Sequence, residues 1–549
     1  MTFSFACALA ALAWTATATT PSGDSNWHVG QTVRTSSGSV QGHAAKDSPL
    51  VSEYLGIPYA KPPVGELRWA APESLDTSAA TINGSKFGYS CPSNGGASFA
   101  AVVANASDLN LTPSAIQVLD ALIGQTGDVF NEDCLTLNVW TKPQSGEKKK
   151  AVLLWIHGGE YISGSSNSRA YNGRHLADSR DIVVVSINYR LNIFGFPGNP
   201  NSINNLGLLD QRLAIEWTRD NIQAFGGDPR RITIVGESAG AGSVDFYSFA
   251  WTHDPIVNGF IAQSGTAIAG SANDSAANWL ATASLLGCST SSNSTSAIIL
   301  SCMRSQNQTA ILKAISTLPV FGPAVDNVVV FPNNLERALA GKVIRKPFLI
   351  GINDNEAGLF QDLLGARGLS FPNSWWKLQN LFAFNCGAAL RAKLSAAKVP
   401  TWRYRYFGDF PNLALSTVSS SGAWHGSEIP MVFGTDLDVQ NVTARTTAQE
   451  KIGDYMQGAW AAFVKDPERG LKKYGWPNYD PQSKTLVRLG YENRTGANLA
   501  EPADYDFTCP WVFLLGQALI YGNSTQSAID VIAGLTRQMA EQVLSIFDY

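Results

Sequence analysis

The chain has 549 residues, 45% hydrophobic and 15% charged, with a formal net charge of −4. That composition describes a globular chain with material for a large core. A charge so close to neutral argues against a nucleic-acid partner or an anionic membrane surface.

The first predicted element is a leader. Phe3 to Trp14 is almost wholly apolar, and Ala16-Thr17-Ala18 supplies a small-residue cleavage site, so residues 1–18 read as a secretory signal. The remainder, 19–549, reads as one large domain with insertions. Export agrees with the glycosylation sequons at Asn83, Asn105, Asn110, Asn273, Asn293, Asn307, Asn441, Asn493 and Asn523. Cys7 leaves with the signal, and Cys91, Cys134, Cys288, Cys302, Cys386 and Cys509 remain. Their spacing suggests a disulfide set in which Cys288 and Cys302 are near neighbours, while sequence alone leaves the other pairings open. No Cys/His cluster suggests a zinc site, and no cofactor motif is present.

Along the chain, apolar runs alternate with helical spacing, which predicts an α/β layer fold with a mostly parallel sheet. Leu111 to Gly124 reads as a helix with Thr112 as N-cap, Pro113 at its first position and Gly124 at its stop. Its apolar face would carry Ile116, Leu119, Leu122 and Ile123. Strands are predicted at Ala151–Ile156 and Ile182–Ile187, and a helix over Leu208 to Phe225. Further strands are expected at Phe348–Ile350 and Trp402–Phe407. Ala528 to Phe547 reads as an amphipathic helix, not as a membrane or lipid anchor.

The chemistry centres on Gly236-Glu237-Ser238-Ala239-Gly240, which follows the apolar run Ile232–Val235. Glycines on either side of a serine let a strand turn sharply into a helix and leave the hydroxyl exposed. A neutral serine is a poor nucleophile, so an imidazole must take its proton and a carboxylate must orient that imidazole. In the order Ser, acid, His, the histidine is His425, because His253 stands too close to the serine. Many acids lie between Ser238 and His425. Glu356 is favoured by its place six residues beyond Ile350, with Asp354 and then Asp326 as rivals. One oxyanion donor should be the amide after the nucleophile, that of Ala239, and others should come from the loop His157-Gly158-Gly159-Glu160. His157 itself reads as structural. Glu237 reads equally as an electrostatic neighbour of the site or as a buried acid that holds the turn.

Several segments together resemble the type-B carboxylesterase/lipase family, the cholinesterase-like branch of the α/β-hydrolase fold. They are Tyr54–Ala60, Glu132–Val139, Phe225–Pro229, the serine turn, Gly351–Gly358 and Trp424–Gly434. The resemblance covers nearly all of the chain after the leader. It implies an α/β-hydrolase fold, Ser238, Glu356 and His425 as the triad, and donors from Gly159, Glu160 and Ala239. It also implies disulfides Cys91–Cys134, Cys288–Cys302 and Cys386–Cys509. The chain departs from the family at Glu160, where a third glycine is common. That puts the loop geometry in question and suggests a side chain turned away, toward Arg169.

The implied activity is hydrolysis of a small-molecule or lipid ester through an acyl-enzyme, outside the cell and without a cofactor. Residues 92–133 hold no Trp or Tyr, so the aromatic that stacks on choline in cholinesterases is missing. A general carboxylesterase is the first expectation. A lipase whose lid is the Leu111–Gly124 helix is the second, and a binding protein without catalysis is the third.

Overall fold

The protein is described by a computed structural model that covers residues 27–510, apart from 201, 269–274, 290–294, 319–320 and 419. The leader, the sequons at Asn273, Asn293 and Asn523, and the helix expected at 528–547 lie outside the described residues.

The centre is a ten-stranded sheet. In spatial order its strands are Leu486–Leu489, Thr401–Tyr406, Phe348–Asn353, Gly259–Gln263, Gly227–Glu237, Lys150–Ile156, Val183–Ile187, Thr136–Thr141, Ser48–Pro58 and His43–Ala45. The first seven are mutually parallel, and the last three join antiparallel. Parallel strands bury both faces, which is why these segments read as continuous apolar runs. In Lys150–Ile156, Ala151, Leu153 and Trp155 enter one core while Val152, Leu154 and Ile156 enter the other. Helix Thr447–Lys465 closes the first face through Ile452, Met456 and Trp460. Helices Leu206–Asn221 and Ala239–Ala250 close the second through Ile215, Ala241 and Val244. This is the α/β-hydrolase architecture.

Topology decides where a ligand can enter. Lys150–Ile156 has its sequence successor Val183–Ile187 on one side and Gly227–Glu237 on the other. The chain leaves Lys150–Ile156 toward Val183–Ile187 but leaves its neighbour Gly227–Glu237 the other way, toward Gly259–Gln263, opening a crevice between the two carboxyl ends. His157-Gly158-Gly159-Glu160 emerges there, beside the end of the serine-bearing strand, with Ile156 in register with Gly236.

Three disulfides join Cys91 to Cys134, Cys288 to Cys302 and Cys386 to Cys509. The first closes the loop that carries the helix Pro113–Leu119. Thr112 caps that helix by accepting from Ala115 N–H at 2.9 Å. The helix ends at Gly124 as expected, with its left-handed cap one residue further on. It widens into a π-turn over Asp120–Gly124, and the cap is Gln125 at φ 50°. Gly124 is required for packing: a Cβ there would stand 2.5 Å from Asp120 Oδ1 and 2.9 Å from the Phe99 ring.

Candidate active site

The strand Gly227–Glu237 ends beside Gln263, and the chain reverses into the helix Ala239–Ala250. Ser238 occupies the turn at φ 55°, ψ −121°. A residue with a Cβ seldom adopts that conformation, at a cost on the order of 1–3 kcal/mol. The tightness of the turn explains its glycines. A Cβ on Gly236 would lie 2.4 Å from Gly240 backbone, and one on Gly240 would lie 2.0 Å from the Ile156 carbonyl oxygen. The Ser238 N–H donates to the Gln263 carbonyl at 2.8 Å, which pins the turn to the neighbouring strand. Ser238 lines a cavity of about 460 Å³.

Two strands further along, the loop after Phe348–Asn353 carries Glu356, which is fully buried. Its Oε1 accepts from the Asn353 N–H at 2.7 Å, and its Oε2 lies 2.6 Å from His425 Nδ1. The histidine loop is tied to the same strand end. The Asn353 side-chain amide donates to the Trp424 carbonyl at 2.7 Å, and the Asn355 N–H donates to Ala423 at 2.9 Å. Asp354 turns away to pair with Arg405, and Asp326 accepts from the amides of Val328, Val329 and Val330. Of the three candidate acids, Glu356 is the one against His425.

Glu237 also reaches the imidazole, with Oε1 3.1 Å from His425 Nε2. Their alignment is not that of a hydrogen bond, so Oε1 is left without a partner. No hydrogen bond joins Ser238 Oγ to the imidazole in this state. Nucleophile–base contacts of this kind are often loose without substrate. Burial by itself would lower the His425 pKa, but the charges of Glu237 and Glu356 outweigh it and lift it to about 9. Burial likewise pushes the Glu237 carboxyl up to about 8, against the pull of His425. Both groups compete for protons in one dry pair. The upward shift of His425 is the firmer direction, because Glu237, Glu356 and Glu428 all raise it.

Three contributors were not legible as site residues. Glu428 is buried and accepts from Gln263 Nε2 at 2.9 Å and from Asn353 Nδ2 at 2.6 Å. It therefore braces the asparagine that holds Glu356. Phe360 and Phe384 pack on the imidazole with ring centroids 5.1 and 4.9 Å away, keeping water from it. Glu428 stands three residues after His425 in the quoted segment, which was the one available signal.

The opposite wall is the loop after Ile156. His157 is buried and stacked on Tyr189, and its Nδ1 lies 2.8 Å from the Gly158 carbonyl. Burial drops its pKa to about 4, so it is a neutral, structural imidazole. A Cβ on Gly158 would stand 2.9 Å from Ser238 Cβ, which shows how closely this loop abuts the serine. The loop then runs through positive φ at Gly159 (103°), Glu160 (54°) and Tyr161 (63°). The amides of Gly159, Glu160 and Ala239 donate to no acceptor among the described residues. The expected partner of Glu160 is corrected here. Arg169 pairs with Asp120 and donates to the Gln117 and Val439 carbonyls, because its short helical turn faces the 113–124 segment.

That segment serves both core and pocket. Ala115 and Val118 are fully buried in the main core, while Leu119, Leu122 and Ile123 line the cavity. Thr112 also anchors it, its N–H donating to Leu415 and its hydroxyl to the Ala414 carbonyl.

Among the described residues no helix is long and apolar enough to cross a membrane, and no His/Cys/Asp/Glu group could hold a metal. A model described as the carboxylesterase family matches residues 29–370 and 373–508. The chain is similar to the chlorogenic acid esterase of Aspergillus niger, 36% identical over 486 residues, covering 83% of this chain and 90% of that protein. It is similar to secreted lipase 5 of Gibberella zeae, 33% identical over 507 residues, covering 84% and 90%. Among solved structures, a PNB esterase superposes with a TM-score of 0.72 at 25% identity, covering 88% of this chain and 99% of that one.

Proposed function

Since the chain belongs to the carboxylesterase family, we propose that it is a secreted serine ester hydrolase working through Ser238, His425 and Glu356. Ser238 Oγ attacks the ester carbonyl while His425 takes its proton, and Glu356 orients and steadies the imidazolium. The tetrahedral oxyanion rests on the amides of Gly159, Glu160 and Ala239. The alcohol leaves with the proton from His425, and water releases the acyl group by the same steps reversed.

The observation that carries this reading is the 2.6 Å contact between Glu356 and His425, in a cavity that Ser238 also lines. Three disulfides suit an oxidising compartment, and a relative is named a secreted lipase. The cavity lining is mostly apolar, which fits broad carboxylic esters. A lipase reading is favoured by one feature, the wall that Leu119, Leu122 and Ile123 contribute from the disulfide loop.

The test is active-site titration. An organophosphate should label Ser238 stoichiometrically and abolish 4-nitrophenyl ester hydrolysis. Folded protein whose serine stays unlabelled would refute the proposal.

A further inference from the structure

The loop beside the serine accepts a side chain at one position and gives it nothing to hold. A Cβ at Gly158 would collide with Glu237 and Ser238, and one at Gly159 would stand 2.3 Å from the Ser163 carbonyl oxygen. At the next position Glu160 holds φ 54°, a conformation glycine would adopt freely and glutamate adopts under strain. Among the described residues its carboxylate makes no hydrogen bond and no ion pair. It is exposed, and it lines the cavity. A strained residue whose side chain braces nothing in the fold is explained by what it meets in the site.

The surroundings sharpen this. Leu318, Phe321, Leu359 and Phe360 make much of the lining apolar. Of the other charged groups there, Glu237 and His425 face each other and Arg367 has an interaction of its own. Glu160 is thus a solvent-exposed carboxylate with no counter-charge among the described residues, on the wall of a largely apolar cavity beside Ser238.

We propose that Glu160 is a specificity residue that sets the charge of the ester accepted. It favours substrates carrying an ammonium or hydroxyl donors close to the scissile bond, and it rejects those carrying a free carboxylate there. This deepens the reading of Ser238 as nucleophile and rests on it. The recognition is ionic, through a carboxylate, and uses no stacking aromatic. A unit charge about 6 Å away at an effective dielectric of about 40 changes kcat/KM about tenfold.

The experiment compares wild type, Glu160→Gln and Glu160→Lys, each rate normalised to organophosphate-titrated serine. One substrate set is 4-nitrophenyl butyrate with its ω-trimethylammonio and ω-carboxy counterparts. A second set carries the same groups on the leaving thiol of a thioacetate. In at least one set, the cationic-to-anionic ratio of kcat/KM should fall at least about tenfold in Glu160→Gln and further in Glu160→Lys. Added salt should compress the wild-type ratio. A fall of less than about tenfold in Glu160→Gln, in both sets, overturns the proposal. If neither variant turns over any ester, the wild-type salt dependence decides, and its absence in both sets overturns the proposal. A wild-type serine that takes no label would overturn the serine-hydrolase reading instead.

Discussion

Replacing Glu237 by glutamine keeps the shape of the side chain and removes its charge from the face of His425. The imidazole pKa stands at about 9, against an ordinary 6.5. At about 1.4 kcal/mol per pKa unit, that difference is roughly 3 kcal/mol in favour of the imidazolium. Two charges 3.1 Å apart at an effective dielectric of about 20 interact by about 5 kcal/mol, part of which the burial of the ring takes back. Glu237 is the largest of the raising influences, with Glu356 next. Its removal should therefore lower the imidazole pKa by one unit or more. The sign for catalysis follows, because His425 accepts a proton only when neutral. In wild type kcat/KM for a neutral ester should climb from pH 7 to a midpoint near 9 and level off only above it. In Glu237→Gln the acid limb should move toward neutral pH, even if the plateau itself is lower. The profile can be followed from pH 5 to 10 at the isosbestic wavelength of nitrophenol. An acid limb at the same pH in both proteins would show that Glu237 is uncharged in the free enzyme, and would refute the argument.

Ser238→Ala and His425→Ala should each lower turnover by about 10⁴-fold or more, since the groups act as a unit. Glu356→Gln should be severe while Asp354→Asn stays near wild type, and the reverse pattern would displace Glu356 as the acid. Leu119 is fully buried at the junction of core and cavity, so Leu119→Asp should lower Tm and impair short and long esters together. Leu122→Ala, at a half-buried lining position, should instead slow long-chain acyl esters selectively; equal loss across a chain-length series would remove the 113–124 segment from substrate recognition. Replacing Cys91 and Cys134 by alanine should destabilise the fold by up to about 4 kcal/mol on the chain-entropy estimate, readable as a lower Tm. Peptide mapping of the intact protein without reductant should return Cys91–Cys134, Cys288–Cys302 and Cys386–Cys509 as linked pairs.

The parts of this molecule that sequence disclosed are those encoded by local pattern. The apolar runs at Ala151–Ile156 and Ile182–Ile187 became parallel strands, and the glycines around Ser238 became a turn that tolerates no Cβ. Thr112 and Pro113 placed the start of their helix correctly because capping is a short-range interaction. Its end also falls at Gly124, but the left-handed cap is Gln125, and the small size of Gly124 serves contact with Phe99, a demand that arises from packing. Arg169, expected to face Glu160, is turned by the fold to Asp120, a contact that no local pattern encodes. Glu428 and Phe384 escaped notice because their contacts with Asn353 and His425 span distant segments, and no spacing rule encodes those meetings.

The bracing of Asn353 against Trp424 and Glu428 has a bearing on refolding. Ser238 reaches its final backbone conformation in a turn built from residues 227–263, yet the base and the acid meet only when the loops at 353–356 and 423–428 dock on one another. Such long-range docking belongs to the slow part of folding. Recovered ester cleavage during refolding therefore reports the docking of these two distant loops, and should lag behind a probe of the serine turn alone.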